Sequence, residues 1–161
     1  MINLAVLVSG NGSNLQSIID ACKSDQIQAI VKVVISDKQN AFALERAKKE
    51  DIEAIFINPK DFHNKNTYEL EIVKILKKYE IDLVCLAGYM RFVGEVLLEN
   101  YNGKMINIHP ALLPAFPGLH AQKQAFDYGV KVAGATVHFV DEGCDTGPII
   151  LQSSVPVLVD D

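Results

Sequence analysis

Apolar positions along the chain fall into short runs separated by helically spaced stretches. Ile2–Val8 is almost wholly apolar and is broken by Ser9-Gly10-Asn11-Gly12-Ser13; Leu15, Ile18, Ile19 and Cys22 then recur at helical spacing. Further strands are predicted at Ile30–Ile35, Ala54–Ile57, Leu83–Ala87, Met105–Ile108, Ala135–Val140 and Ile149–Val157. Helices are predicted around Phe42, Leu44 and Ala47, over Tyr68–Tyr79, over Val96–Tyr101 and over Gln122–Tyr128. In the Tyr68–Tyr79 helix the expected apolar stripe is Leu70, Val73, Ile75 and Leu76. Consecutive apolar residues in strands that alternate with helices indicate a sheet covered on both faces by crossover helices. The expected fold is therefore α/β, a three-layer α/β/α arrangement around a mostly parallel, doubly wound sheet of about seven strands. The Asp141–Pro148 connection is too short for a crossover helix, so a local antiparallel pair is expected near the C-terminus.

Composition narrows the class. At 161 residues the chain is expected to form a single domain, 1–161, and 49% hydrophobic against 22% charged residues suffices for a packed core. No apolar run approaches the roughly 20 residues that span a bilayer, and Met1-Ile2-Asn3 lacks a basic leader, so a soluble, cytoplasmic protein is expected. The net charge is −5; residues 1–80 hold 11 basic and 11 acidic side chains, residues 81–161 hold 4 and 9. Nucleic-acid binding normally needs a basic face, and none is visible. An anionic substrate must then be held by backbone amides or single cations. Cys22, Cys85 and Cys144 lack disulfide or zinc spacing and are expected to be reduced thiols, with Cys85 in the core.

Two segments carry candidate chemistry. Val8-Ser9-Gly10-Asn11-Gly12-Ser13-Asn14 follows the first strand and precedes a helix, where glycines let backbone N–H groups close on a phosphate. The dinucleotide fingerprint is incomplete because Leu15 stands in place of its third glycine, so a single phosphate fits better than a dinucleotide, although Asp37 could mimic the acidic ribose ligand. The competing interpretation is a plain turn with Ser13 or Asn14 capping the helix. The second segment is Asn107-Ile108-His109-Pro110 at the end of the fifth strand. Residues two apart on a strand point to one side, so Asn107 and His109 offer an amide donor and an imidazole to one reacting group. That is an oxyanion stabiliser beside a general acid–base. Asp145, in the glycine-flanked loop Glu142–Gly147, could reach the same site, and a neighbouring carboxylate favours imidazolium. Taken singly, His109 could equally be a buried strand-end histidine and Asp145 a turn residue. His63, His120 and His138 show no metal spacing, two of them are expected at the surface, and no metal is called for.

At these residues the chain resembles the folate-dependent phosphoribosylglycinamide formyltransferases. The likeness lies in Val8–Gln16, Leu86-Ala87-Gly88-Tyr89-Met90-Arg91, Ile106–Pro117 and Asp145-Thr146-Gly147-Pro148-Ile149-Ile150. The resemblance implies transfer of a formyl group from 10-formyltetrahydrofolate, as co-substrate, to glycinamide ribonucleotide in purine biosynthesis. It implies that Gly12, Ser13 and Asn14 hold the substrate phosphate, and that Asn107, His109 and Asp145 are catalytic. Met90, Arg91, Phe92 and Val93, with Asn107, would line the folate site largely through backbone groups. Lys65 falls where the family has an arginine, keeping the charge without the bidentate fork. The resemblance also implies a cis Leu113–Pro114 peptide. The family continues past Val159-Asp160-Asp161, which implies truncation at the C-terminus. Partners would be small molecules, with no nucleic acid and no membrane.

The implied reaction needs no metal and no covalent intermediate. Three rivals remain. A formyltetrahydrofolate hydrolase would share Asn107, His109 and Asp145 but is expected to carry an extra N-terminal domain. A transfer-RNA formyltransferase would add a C-terminal domain and a basic surface. A non-catalytic nucleotide-binding module would leave Asn107 and His109 without a task.

Overall fold

Leu4 to Val8 are buried without a break, so β1 (Ile2–Val8) has no solvent face and shows no alternation. The computed structural model describes residues 1–161, which divide into two compact units, Met1–Met105 and Ile106–Asp161. In the first unit β1 pairs in parallel with β2 (Ala29–Ser36) and β4 (Leu83–Leu86), and β2 pairs in parallel with β3 (Glu53–Phe56). The helices are α1 (Ser13–Lys23), α2 (Phe42–Lys49), α3 (Lys65–Lys78) and α4 (Glu95–Asn100). Leu7 sits opposite both Ile35 and Leu86, and the β1/β2 register slips between Leu4 and Ala5. Strand order runs outward from β1 through β2 to β3, and β4 then adds on the other side of β1. The C-terminal ends of β1 and β4 therefore flank a topological switch point, the usual ligand crevice of such sheets.

The second unit holds β5 (Met105–His109) except its first residue, with α5 (Ala121–Tyr128), β6 (Val132–Phe139) and β7 (Ile149–Pro156). β6 is antiparallel to both β5 and β7, with Asn107 opposite His138 and His109 opposite Thr136. The strands of the first unit run in the order β3-β2-β1-β4, all parallel, and those of the second in the order β5-β6-β7, antiparallel, so the chain has the expected α/β class, mostly parallel and turning antiparallel near the C-terminus. The antiparallel part exceeds the single pair expected from the sequence. No helix is long and apolar enough to cross a membrane.

Several local expectations need correction. The α3 stripe is Tyr68, Ile72, Val73 and Leu76, whereas Leu70 is 51% exposed. The start of α3 is fixed by a capping box in which Asn64 and Thr67 bond reciprocally, and Leu70 falls outside the face formed by Tyr68, Ile72, Val73 and Leu76. β6 begins at Val132, three residues before the apolar run that predicted it. β7 reads as a buried strand but is exposed along its length, at the edge beyond β6. The Leu113–Pro114 peptide is cis. Its turn is held by Thr136 Oγ1, which donates to the Ala111 carbonyl at 2.7 Å and accepts from Leu113 N at 3.1 Å.

Glu69 sits inside the α3 stripe, 2% exposed, where a carboxylate breaks the apolar pattern. Its Oε1 accepts from Gly94 N at 2.6 Å and its Oε2 from Leu97 N at 3.0 Å, satisfying N–H groups at the start of α4. It thereby anchors the end of the loop that leaves β4. Glu69→Ala would leave both N–H groups without an acceptor, with an expected cost on the order of 2–4 kcal/mol. Urea unfolding measures it; a loss below about 1 kcal/mol would mean that water replaces the carboxylate.

Candidate active site

At the switch point, two loops of the first unit meet. The loop after β1 is seated on α2: Ala43 N donates to the Gly10 carbonyl at 3.1 Å. Arg46 donates through Nε to the Asn11 carbonyl and through Nη2 to Asn11 Oδ1, both at 2.8 Å. Gly12 is the N-cap of α1, at φ 81°, and no side chain caps that helix. The first-turn N–H groups of Ser13 and its successors thus have no side-chain acceptor at the cap, the arrangement that receives an anion. The expectation that Ser13 or Asn14 caps the helix is not met: Ser13 is already helical and Asn14 follows it, both exposed.

The loop after β4 carries Met90, Arg91, Phe92 and Val93. Met90, Arg91 and Phe92 are exposed and Val93 is half-buried. Their backbone is held from beneath. Met90 N donates to Ser9 Oγ at 2.9 Å, and Ser9 Oγ in turn donates to Asp37 Oδ1 at 2.6 Å. Asp37 is buried and serves this chain of bonds, which gives it a task other than the ribose contact considered from sequence. The Tyr68 and Tyr89 hydroxyls lie 3.3 Å apart, and burial pushes both phenols up from their ordinary pKa. The Arg91 guanidinium covers the Tyr68 ring at 5.3 Å. Lys65, at the first position of α3, is exposed, and its Cε lies beside Gly94 at the end of this loop.

In the second unit the end of β5 builds a cluster of buried polar side chains. His109 is 4% exposed; its Nε2 donates to the Phe116 carbonyl at 2.8 Å, and its Nδ1 lies 3.4 Å from Asp145 Oδ2. The same carboxylate oxygen accepts from Gly118 N at 2.9 Å, so Asp145 fastens the turn that follows β5. Its own loop is fixed by Asp141, whose Oδ1 accepts from Gly143 N at 3.0 Å and from Thr146 Oγ1 at 2.6 Å. Gly147 passes so close to the Phe139 carbonyl that no side chain fits there. Asp145 takes a left-handed conformation, φ 55°, which aspartate adopts more readily than most residues.

Asn107, His109 and Asp145 are thus brought together as expected, and a fourth member joins them. His138 is buried, with Nε2 3.2 Å from Asn107 Nδ2 and 3.7 Å from Asp145 Oδ1. His63 and His120 are exposed, as expected of two of the three. His138 sits at an alternate position of β6 among Ala135, Val137 and Phe139, and its parity with Thr136 was the available signal. Cys85 is core, its thiol pushed up to about 11 by burial. An amide donor, an imidazole and a carboxylate at one strand end can stabilise an oxyanion and transfer a proton.

Comparison with known proteins places this geometry in a class. The Formyl transferase family matches residues 2–161, and the chain belongs to that family. Among its relatives is the phosphoribosylglycinamide formyltransferase of Bacillus subtilis (strain 168), 48% identical over 157 residues, covering 98% of this chain and 80% of that protein. The trifunctional purine biosynthetic protein adenosine-3 of Drosophila melanogaster is 49% identical over 160 residues, but the match spans only 12% of it. The crystal structure of glycinamide ribonucleotide transformylase 1 from Symbiobacterium toebii superposes with a TM-score of 0.98 at 50% identity, covering 100% of this chain and 76% of that one.

Proposed function

We propose that residues 1–161 act as one formyltransferase domain, moving the formyl group of 10-formyltetrahydrofolate to the amine of 5-phosphoribosylglycinamide in cytoplasmic purine biosynthesis. The observation that carries this is the buried His109–Asp145 pair beside the Asn107 amide. The identity to named formyltransferases across nearly the whole chain supports the choice of substrates.

Gly12, Ser13 and Asn14 hold the substrate phosphate through first-turn N–H groups of α1, and the loop Met90–Val93 presents backbone groups to the folate. Lys65 adds a cation beside that loop. The amine attacks the formyl carbon, a C–N bond forms, and the carbonyl oxygen becomes an oxyanion on a tetrahedral intermediate. Asn107 donates to that oxygen, and His109 donates to it through Nε2 by exchanging its 2.8 Å bond to the Phe116 carbonyl for one to the oxyanion, while Nδ1 stays on Asp145. The attacking nitrogen then loses a proton, the bond from the formyl carbon to N10 breaks, and N10 gains a proton, with His109 as the carrier. Positioning two substrates together is worth roughly 7–11 kcal/mol at best, and the proton carrier about 10²–10⁴ in rate.

The test mixes protein with 10-formyltetrahydrofolate and follows deformylation with and without the ribonucleotide. Turnover only with ribonucleotide is expected. Equal turnover without it would assign a hydrolase, and none under either condition would leave a binding module.

A further inference from the structure

Two imidazoles face one carboxylate in the second unit, and the chemistry above uses only His109. His138 is 3% exposed and stands directly opposite Asn107 in the β5/β6 ladder. Its Nδ1 lies 2.8 Å from the Phe139 carbonyl oxygen. A carbonyl only accepts, so Nδ1 carries a hydrogen. Its Nε2 lies 3.2 Å from Asn107 Nδ2, and an amide nitrogen only donates, so Nε2 is the acceptor. A ring with a hydrogen on Nδ1 and a lone pair on Nε2 is neutral.

Charge balance leads to the same state. The Asp145 oxygens lie 3.4 Å from His109 Nδ1 and 3.7 Å from His138 Nε2, and both rings are buried. One carboxylate compensates one imidazolium; a second would leave an unbalanced charge away from water. The nearer ring, His109, takes that place. With Asn107 turned over, its Oδ1 would face Nε2, which would then need a hydrogen of its own and would make His138 the cation.

We propose that His138 is a positioning residue, held as the neutral Nδ1–H tautomer. It accepts one N–H of the Asn107 amide and so directs the second N–H of the same nitrogen toward the oxyanion. The inference rests on the formyl transfer proposed above. It gives Asn107 a fixed orientation that a strand position alone does not, since an amide can rotate about its last bond. The oxyanion exists only as the reaction proceeds, so loss of the acceptor lowers kcat and leaves substrate binding in place.

Two measurements test it. In protein labelled with ¹⁵N at histidine, the ring assigned to His138 is expected to show a protonated Nδ1 and an unprotonated Nε2 near neutral pH. An imidazolium pattern, or a hydrogen on Nε2, overturns the proposal without reference to activity. In steady-state kinetics, His138→Leu is expected to lower kcat about 10- to 100-fold with both KM values within about twofold. His138→Gln, whose Oε1 can accept from Asn107, is expected to stay within about threefold of the parent. Equal losses in the two variants would overturn the proposal; if His138→Leu does not fold, the ¹⁵N pattern decides. The expected pattern in a protein that transfers no formyl group would overturn the proposed function and leave the ring–amide geometry standing.

Discussion

Asp145→Asn is expected to lower turnover by about 10²-fold or more while both ligands still bind. The substitution is close to isosteric. An asparagine oxygen can still accept from Gly118 N, the 2.9 Å bond that fastens the turn after β5, and asparagine also tolerates the φ of 55° found here. What disappears is the negative charge 3.4 Å from His109 Nδ1. His109 Nε2 already donates to the Phe116 carbonyl, so a hydrogen on Nδ1 makes the ring a cation, and Asp145 is the group that stabilises it. Without the carboxylate the site loses its charged donor to the oxyanion. Steady-state kinetics, with titrations of each ligand and a melting curve, separate this from unfolding. Near-normal turnover in the variant would reduce Asp145 to a turn residue and remove the proton carrier from the mechanism.

How far the sequence foretold this site depends on what kind of contact each residue makes. β1 and β2 were legible because strands buried on both faces leave a continuous apolar run. Asn107 and His109 were legible because the two-residue period of a strand puts them on one side. Asp145 lies 36 residues beyond His109, and the clue was its glycine-flanked loop. His138 and Glu69 were not foreseen, since each is a polar residue inside an apolar pattern whose partner is fixed by tertiary pairing. For His138 that partner is set by the β5/β6 register, and for Glu69 by the placement of α4 over α3. Leu70 misled in the opposite direction: its spacing fits a stripe, but the face that packs is the one carrying Tyr68, Ile72, Val73 and Leu76. β7 misled because an apolar run says nothing of whether a further element covers it.

Gly12→Val is expected to weaken the ribonucleotide by about 100-fold or more, against no more than about threefold for the folate. A new side chain at the loop obstructs the phosphate's approach to the backbone amides, and the packing of the loop on α2 adds a nearer reason. A β-carbon at position 12 would stand 2.6 Å from Ala43 Cβ and 2.8 Å from Ala43 Cα, with Arg46 Cδ at 3.3 Å. Both contacts with Ala43 are closer than packed carbons approach, and one is to backbone, so α2 and the loop must part. Parting them strains the bonds from Arg46 to Asn11 and from Ala43 to Gly10, which seat the loop that presents the first turn of α1. The φ of 81° adds to the cost, because a β-branched residue is a poor occupant of the left-handed region. A stability loss of about 1–3 kcal/mol is expected alongside the binding loss. The loop Met90–Val93, proposed above to face the folate, is tied to this region through Met90 N to Ser9 Oγ, on the β1 side of the glycines, and is further held by Glu69. It should therefore keep most of its geometry. Separate calorimetric titrations of the two ligands, with urea unfolding of the variant, decide the matter. Equal losses for both would show that the damage spreads through the first unit; an unchanged ribonucleotide affinity would mean that the phosphate is held elsewhere than at residues 12–14.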